Sequence, residues 1–194
     1  LAGAPAEGPI LDEAAAKRRG TLLHLLLEHL PGTDPERWPA LAQHLLAGRP
    51  GPATEEPEER PSPAEAEIAE LLAEATAVLT APALAPLFTG EALAEVPFSA
   101  PITGERRLHG TIDRLVVTPD TVRIIDFKSN ALVPATPGEV PQGILAQMGA
   151  YATAMAQIYP GRRIETAVLW TRTAELMDLP QDLVIGAWET TTTP

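Results

Sequence analysis

Cysteine is absent from the 194 residues. That excludes disulfides, thiolate nucleophiles, zinc–thiolate sites and cysteine-ligated iron–sulfur clusters, and it fits a reducing compartment. Aromatic residues make up only 4% of the chain, so a core has to be assembled from Leu, Ala, Val and Ile. Long apolar runs are also missing. None reaches the ~20 residues a bilayer-spanning helix needs, and no signal-peptide pattern opens the chain. The sequence begins at Leu1 rather than Met, and the expectation is a piece of a longer cytoplasmic polypeptide with no membrane partner.

Positive charge is scarce as well. Lys and Arg number 14 against 26 Asp and Glu, a net charge of −12. This argues against tight autonomous binding to nucleic acid, because neutralising phosphates takes Lys and Arg. The imbalance is uneven, however. Residues 1–100 carry 6 basic and 16 acidic side chains, whereas residues 101–175 carry 8 and 7. The middle of the chain is therefore electrostatically distinct. Overall, 45% hydrophobic and 21% charged residues is a globular composition, and the length suits one domain with a real core.

Hydrophobic periodicity divides this domain in two. Asp12 to Leu30 reads as an amphipathic helix with Leu22, Leu23, Leu26, Leu27 and Leu30 at helical spacing, stopped by Pro31-Gly32. Shorter helices are expected over Pro35 to Ala47 and Ala64 to Leu79, separated by a Pro/Glu-rich loop at about 48–63. Beyond residue 89 the period becomes alternating. Strands are predicted over Ala92 to Ser99, Arg106 to Thr118 and Thr121 to Lys128, then a loop to Pro141. A helix over Gln142 to Tyr159 and a strand over Ile164 to Thr171 follow, with a short strand near Glu175 to Leu179. Residues 181–194 read as a tail with no assigned element. Hairpin-linked strands followed by one crossover imply an α/β fold, a mixed central sheet flanked by helices with an N-terminal helical extension. The expected organisation is one domain over 1–194: a helical part (1–88), a catalytic sheet with its helix (89–180) and the tail.

The chemistry concentrates in Gly110-Thr111-Ile112-Asp113-Arg114 and, thirteen residues after Asp113, Asp126-Phe127-Lys128. Adjacent strands joined by a tight turn can bring Asp113 and Asp126 together. Alternation then puts Asp126 and Lys128 on one face and Phe127 on the other. Two neighbouring carboxylates repel unless a cation sits between them, and oxygen donors suit a hard ion such as Mg²⁺ or Mn²⁺. An amine beside them can hold a water or steady charge on a phosphate. Taken alone, Asp113 could cap a turn, Asp126 and Lys128 could form a surface ion pair, and His24 could be a packed core residue.

These residues resemble the PD-(D/E)XK nuclease signature, with Asp113 as the first acid and Asp126-Phe127-Lys128 as the second acid and lysine. Gln147-Met148-Gly149-Ala150-Tyr151 resembles the Q-x-x-x-Y motif of the RecB-like branch, and Arg19-Gly20 with His24 resembles that branch's R-G-x-x-x-H helix. The resemblance implies a restriction-endonuclease-like core and a metal held by His24, Asp113, Asp126 and the Phe127 carbonyl. It makes Lys128 the residue that activates water and Glu95 a further acid, with Glu91 as a nearby competitor. Gln147, Tyr151 and Arg114 are expected to contact DNA. His109, next to Gly110, is expected on the face opposite it.

The implied activity is that of an AddA-type domain, a Mg²⁺- or Mn²⁺-dependent exonuclease acting in double-strand-break repair. Its partners would be single-stranded DNA, the helicase region of the same polypeptide and a second, AddB-like nuclease subunit. ATP would serve only the helicase part, and an iron–sulfur cluster is excluded. The rival expectations are a catalytically silent scaffold of the same fold, a stand-alone nuclease, and a different two-carboxylate metal hydrolase.

Overall fold

The computed structural model describes residues 13–47, 63–90, 92–103, 106–130 and 132–192. Glu91 and the acidic stretch at 55–59 lie outside the described residues.

Helix α1 (Glu13–His29) ends where Pro31 and Gly32 follow it, Gly32 adopting φ 76°. After α1, Asp34 accepts the Glu36 N–H in a short 3-10 turn over Pro35–Arg37, which leads into α2 (Trp38–Leu46). Trp38 donates its indole N–H to the Thr33 hydroxyl at 3.1 Å, which fixes the bend between the helices. Helix α3 (Glu65–Thr80) buries Ile68, Leu71, Ala75 and Val78, the recurring apolar positions of its sequence.

Five strands form one sheet in the order β1-β2-β3-β4-β5: β1 (Ala92–Thr103), β2 (Arg106–Val117), β3 (Thr121–Lys128), β4 (Arg163–Trp170) and β5 (Glu175–Leu179). All neighbours are antiparallel except β3 and β4. That parallel pair needs a crossover, supplied by α4 (Gln142–Ile158). The mixed sheet flanked by helices expected from the sequence is therefore the fold observed.

Each face of the sheet has its own core. Leucines of α1, with α2 and α3, pack on Ile125, Phe127, Ala167 and Leu169. On the other face α4 covers Val122, Ile124, Val168 and Trp170. The N-terminal helices are thus a full layer of the domain and not an appendage. The stretch 181–192, read in the sequence as a tail, forms α5 (Gln181–Thr192) and packs on α4. Gly149 makes that approach possible: a Cβ there would sit 2.1 Å from the Val184 carbonyl oxygen and 2.7 Å from the Trp188 Cβ.

A candidate metal centre at the end of β3

Strand β3 ends in Asp126-Phe127-Lys128, and alternation sends the two charged side chains toward α4 while Phe127 joins the core under α1. Lys128 Nζ lies 2.7 Å from Asp126 Oδ2 and donates to Gln147 Oε1 at 3.1 Å. One turn along α4, Gln147 Nε2 donates to the Tyr151 hydroxyl at 2.9 Å. The Tyr151 ring meets Phe98 of β1 edge-on, with centroids 5.3 Å apart. Gly110 leaves room for this pair, since a Cβ there would come within 2.9 Å of Phe98 and 3.1 Å of Tyr151. The lysine is therefore aimed by a continuous chain of contacts running back into the core. Asp126 is only 5% exposed. Burial, with repulsion from Asp113, outweighs the attraction of Lys128 and His24 and lifts its pKa to about 6.

Beside this chain, β2 parts from β3. Their pairing stops at Arg114 and Ile125. Past that point Asp113 Oδ2 accepts the Phe127 N–H at 2.6 Å, replacing the ladder bond that β2 no longer supplies. Across from Asp113 in β1, Glu95 adopts φ 46°. A non-glycine residue there costs on the order of 1–3 kcal/mol, and such strain tends to collect at functional sites. Strict alternation does not hold along β2 here, because Ile112 and Leu115, three residues apart, enter the same core.

Helix α1 closes the site. His24 Nδ1 lies 3.4 Å from Asp113 Oδ1, and Nε2 lies 3.3 Å from the Phe127 carbonyl oxygen. Both ring nitrogens face acceptors, an arrangement satisfied by the imidazolium. Burial works against that charge, but the hydrogen bond and charge of Asp113, then the charges of Asp126 and Glu95, raise the pKa above 6.5. Burial and repulsion from Asp113 likewise raise Glu95 above its ordinary value.

His24, Glu95 and Asp113 each offer a ligand atom, all within 4.8 Å of one another. One imidazole and two carboxylates, with the Phe127 carbonyl alongside, are a donor set that fits a hard divalent cation. A bound cation would favour the deprotonated form of His24.

The structure thus brings His24, Glu95 and Asp113 together and sets Asp126 behind them, turned toward Lys128 and outside that three-way cluster. Arg114, expected to contact DNA, is 4% exposed. Its guanidinium donates to the Leu27 carbonyl at 2.6 Å and stacks over Phe88 at 4.9 Å. Gln147 and Tyr151, also expected at the DNA, are hydrogen-bonded to each other, and Gln147 accepts from Lys128. His109 is exposed, and Gly110 faces Phe98 and Tyr151 as alternation required.

Sequence reasoning missed Glu74 and Thr171. Glu74 takes Arg19 Nη2 at 2.5 Å and the Thr171 hydroxyl at 2.5 Å, and that hydroxyl also lies 3.2 Å from the Lys128 carbonyl. No local pattern announces them, because the contacts span 55 and 97 residues.

Among curated proteins, no sequence matches the chain at a significant level. A family model does match, over residues 1–179, a span holding every residue of the site. On that match, with the sheet, its flanking helices and the acid–acid–lysine arrangement in agreement, the chain belongs to the PD-(D/E)XK nuclease superfamily.

Proposed function

We propose that this chain is the divalent-metal-dependent exonuclease domain of an AddA-type helicase–nuclease, hydrolysing DNA phosphodiesters during double-strand-break repair. The observation that carries the reading is one juxtaposition. A His24–Glu95–Asp113 donor cluster stands at the end of the strand that presents the Asp126–Lys128 pair. A scaffold without catalysis has no use for these charges, which are costly to bury without a cation.

A bound Mg²⁺ or Mn²⁺ would lower the pKa of water and neutralise charge on the phosphate. Lys128, held between Asp126 and Gln147, orients the attacking water and balances charge growing on the phosphoryl oxygens. The water oxygen forms a bond to phosphorus as the bond to the 3′ oxygen breaks, and the proton the water gives up is balanced by the one the 3′ oxygen takes. The products are 5′-phosphate and 3′-hydroxyl ends.

Support for the AddA-type context comes from Arg19-Gly20 and His24 on α1 and from Gln147 and Tyr151 on α4. A net charge of −12 gives the chain little steering toward free DNA, which fits a single strand delivered by an attached ATP-driven motor. In this reading an AddB-like subunit handles the other strand, and the complex works in the cytoplasm.

End-labelled single-stranded DNA with Mg²⁺ or Mn²⁺ tests the reading. The native chain should cleave it, and Asp113→Ala and Lys128→Ala should not. Equal cleavage by all three would remove the site assignment. In the full-length polypeptide, ATP should stimulate the cleavage; indifference to ATP would leave a nuclease without the proposed motor.

A further inference from the structure

Helix α1 carries a defect that its own sequence creates. The carbonyl of Leu27 would ordinarily accept the N–H four residues on, but that residue is Pro31, which has none. The vacancy is filled from another element: Arg114 of β2 donates to Leu27 O at 2.6 Å. Arg114 as a whole is 4% exposed; its guanidinium stacks over Phe88 and leaves Nε without a hydrogen-bond partner among the described residues. Burying a cation this deeply is costly, so its location calls for a reason.

The neighbouring residues supply one. Leu27 lies one turn after His24 on α1, and Arg114 directly follows Asp113 on β2. Two consecutive residues of β2 thus grip two consecutive turns of α1, Asp113 at His24 and Arg114 at Leu27. Of the three metal donors, His24 comes from the farthest point in the sequence, on an element outside the sheet. A positive charge near the end of α1 also suits the helix dipole.

The geometry points to Arg114 as a positioning residue that locks α1 to β2 through the Leu27 carbonyl and thereby holds His24 at the metal centre. It acts through His24 and touches neither metal nor DNA. This inference rests on the metal-centre reading above, and its test separates the two.

The test is Mn²⁺ affinity, by calorimetry, of the native chain, Arg114→Met and Arg114→Lys, with Leu46→Ala as a control that weakens the core at α2, away from the site. Outer contacts of metal ligands are commonly worth about tenfold to a hundredfold in affinity. Arg114→Met should therefore bind Mn²⁺ at least tenfold more weakly. Arg114→Lys, which keeps the charge and a donor but loses the planar stack, should fall between it and the native chain. Leu46→Ala should lose thermal stability and keep its affinity. In a His24→Ala background, Arg114→Met should cost nothing further.

If Arg114→Met fails to fold, Arg114→Lys, measured in the native and His24→Ala backgrounds, carries the comparison. Native affinity in Arg114→Met or Arg114→Lys, or an equal loss in Leu46→Ala, would overturn the positioning role while leaving the metal centre standing. A native chain that binds no Mn²⁺ would overturn both.

Discussion

The two halves of the site are built on different principles. On the α4 side, Asp126, Lys128, Gln147 and Tyr151 form a run in which each polar group meets the next at 2.7–3.1 Å. On the α1 side, His24 meets its partners only at 3.3 and 3.4 Å. There Glu95 sits in a strained conformation and two carboxylates converge. In the first half Lys128 is held between Asp126 and Gln147, although Asp126 Oδ2 meets Lys128 as an ion pair and has no hydrogen-bond partner among the described residues. The other gathers negative charge that a cation would resolve. On the proposed reading the two tasks are separate, a lysine aimed in one half and a donor cluster that would accept an ion in the other.

Single substitutions should divide the halves. Lys128→Ala is expected to slow cleavage by about 10²–10⁴-fold while Mn²⁺ affinity stays near native. Initial rates and calorimetry on the same sample check this, and parallel loss of both would show that the halves are one unit.

Stability should divide them next. Gly149→Ala forces a Cβ against the α5 backbone, and overpacking of this kind costs about 1–3 kcal/mol or more. Thermal unfolding should show that loss, because α5 buttresses the α4 half through this contact. Gly32→Ala, at a position with nothing within 4 Å but φ 76°, should cost less, through backbone strain alone.

The charge difference predicts an unusual pH dependence. His24, Asp126 and Glu95 all have folded-state pKa values above their ordinary ones, so the native state binds more protons than the unfolded chain. For the carboxyls the resulting stability is present below about pH 4 and declines as pH rises, through about 6 for Asp126. For His24 it is full below 6.5 and is lost as pH rises through its higher folded value. The metal-free chain should therefore melt at lower temperature as pH goes from 5 to 8. Saturating Mn²⁺, which favours the deprotonated donors, should flatten or reverse the trend. A metal-free melting temperature that climbs across this range would contradict the account.

The smallest effect belongs to Tyr151→Phe. It keeps the ring against Phe98 and removes one acceptor for Gln147, worth about 1 kcal/mol. Cleavage should fall by about fivefold, with Mn²⁺ affinity unchanged.

The α4 half was the more legible in the sequence, and the reason is local. Strand β3 was bounded at Thr121 and Lys128 by a Pro-Asp turn before it and a proline-rich loop after it. Gln147 and Tyr151 lie one helical turn apart, a spacing that sequence displays directly. The α1 half depends on contacts that no window contains. His24 reaches a carbonyl 103 residues away. Strict alternation does not foresee that Ile112 and Leu115 enter the same core, with Asp113 and Arg114 between them both facing α1. Arg114, expected at the DNA, lies 4% exposed with its guanidinium on the Leu27 carbonyl. Helix α5 was missed because Val184, Ile185 and three threonines give it weak intrinsic propensity. It forms because Val184 and Ala187 pack against α4 at Gly149.

The most direct test of the division is Mn²⁺ binding measured by calorimetry on the native chain, Asp113→Ala and Lys128→Ala. The expected result is saturable binding by the native chain and by Lys128→Ala, and none by Asp113→Ala. Equal binding by all three, or loss in Lys128→Ala with retention in Asp113→Ala, would contradict the assignment of the cation to the α1 half.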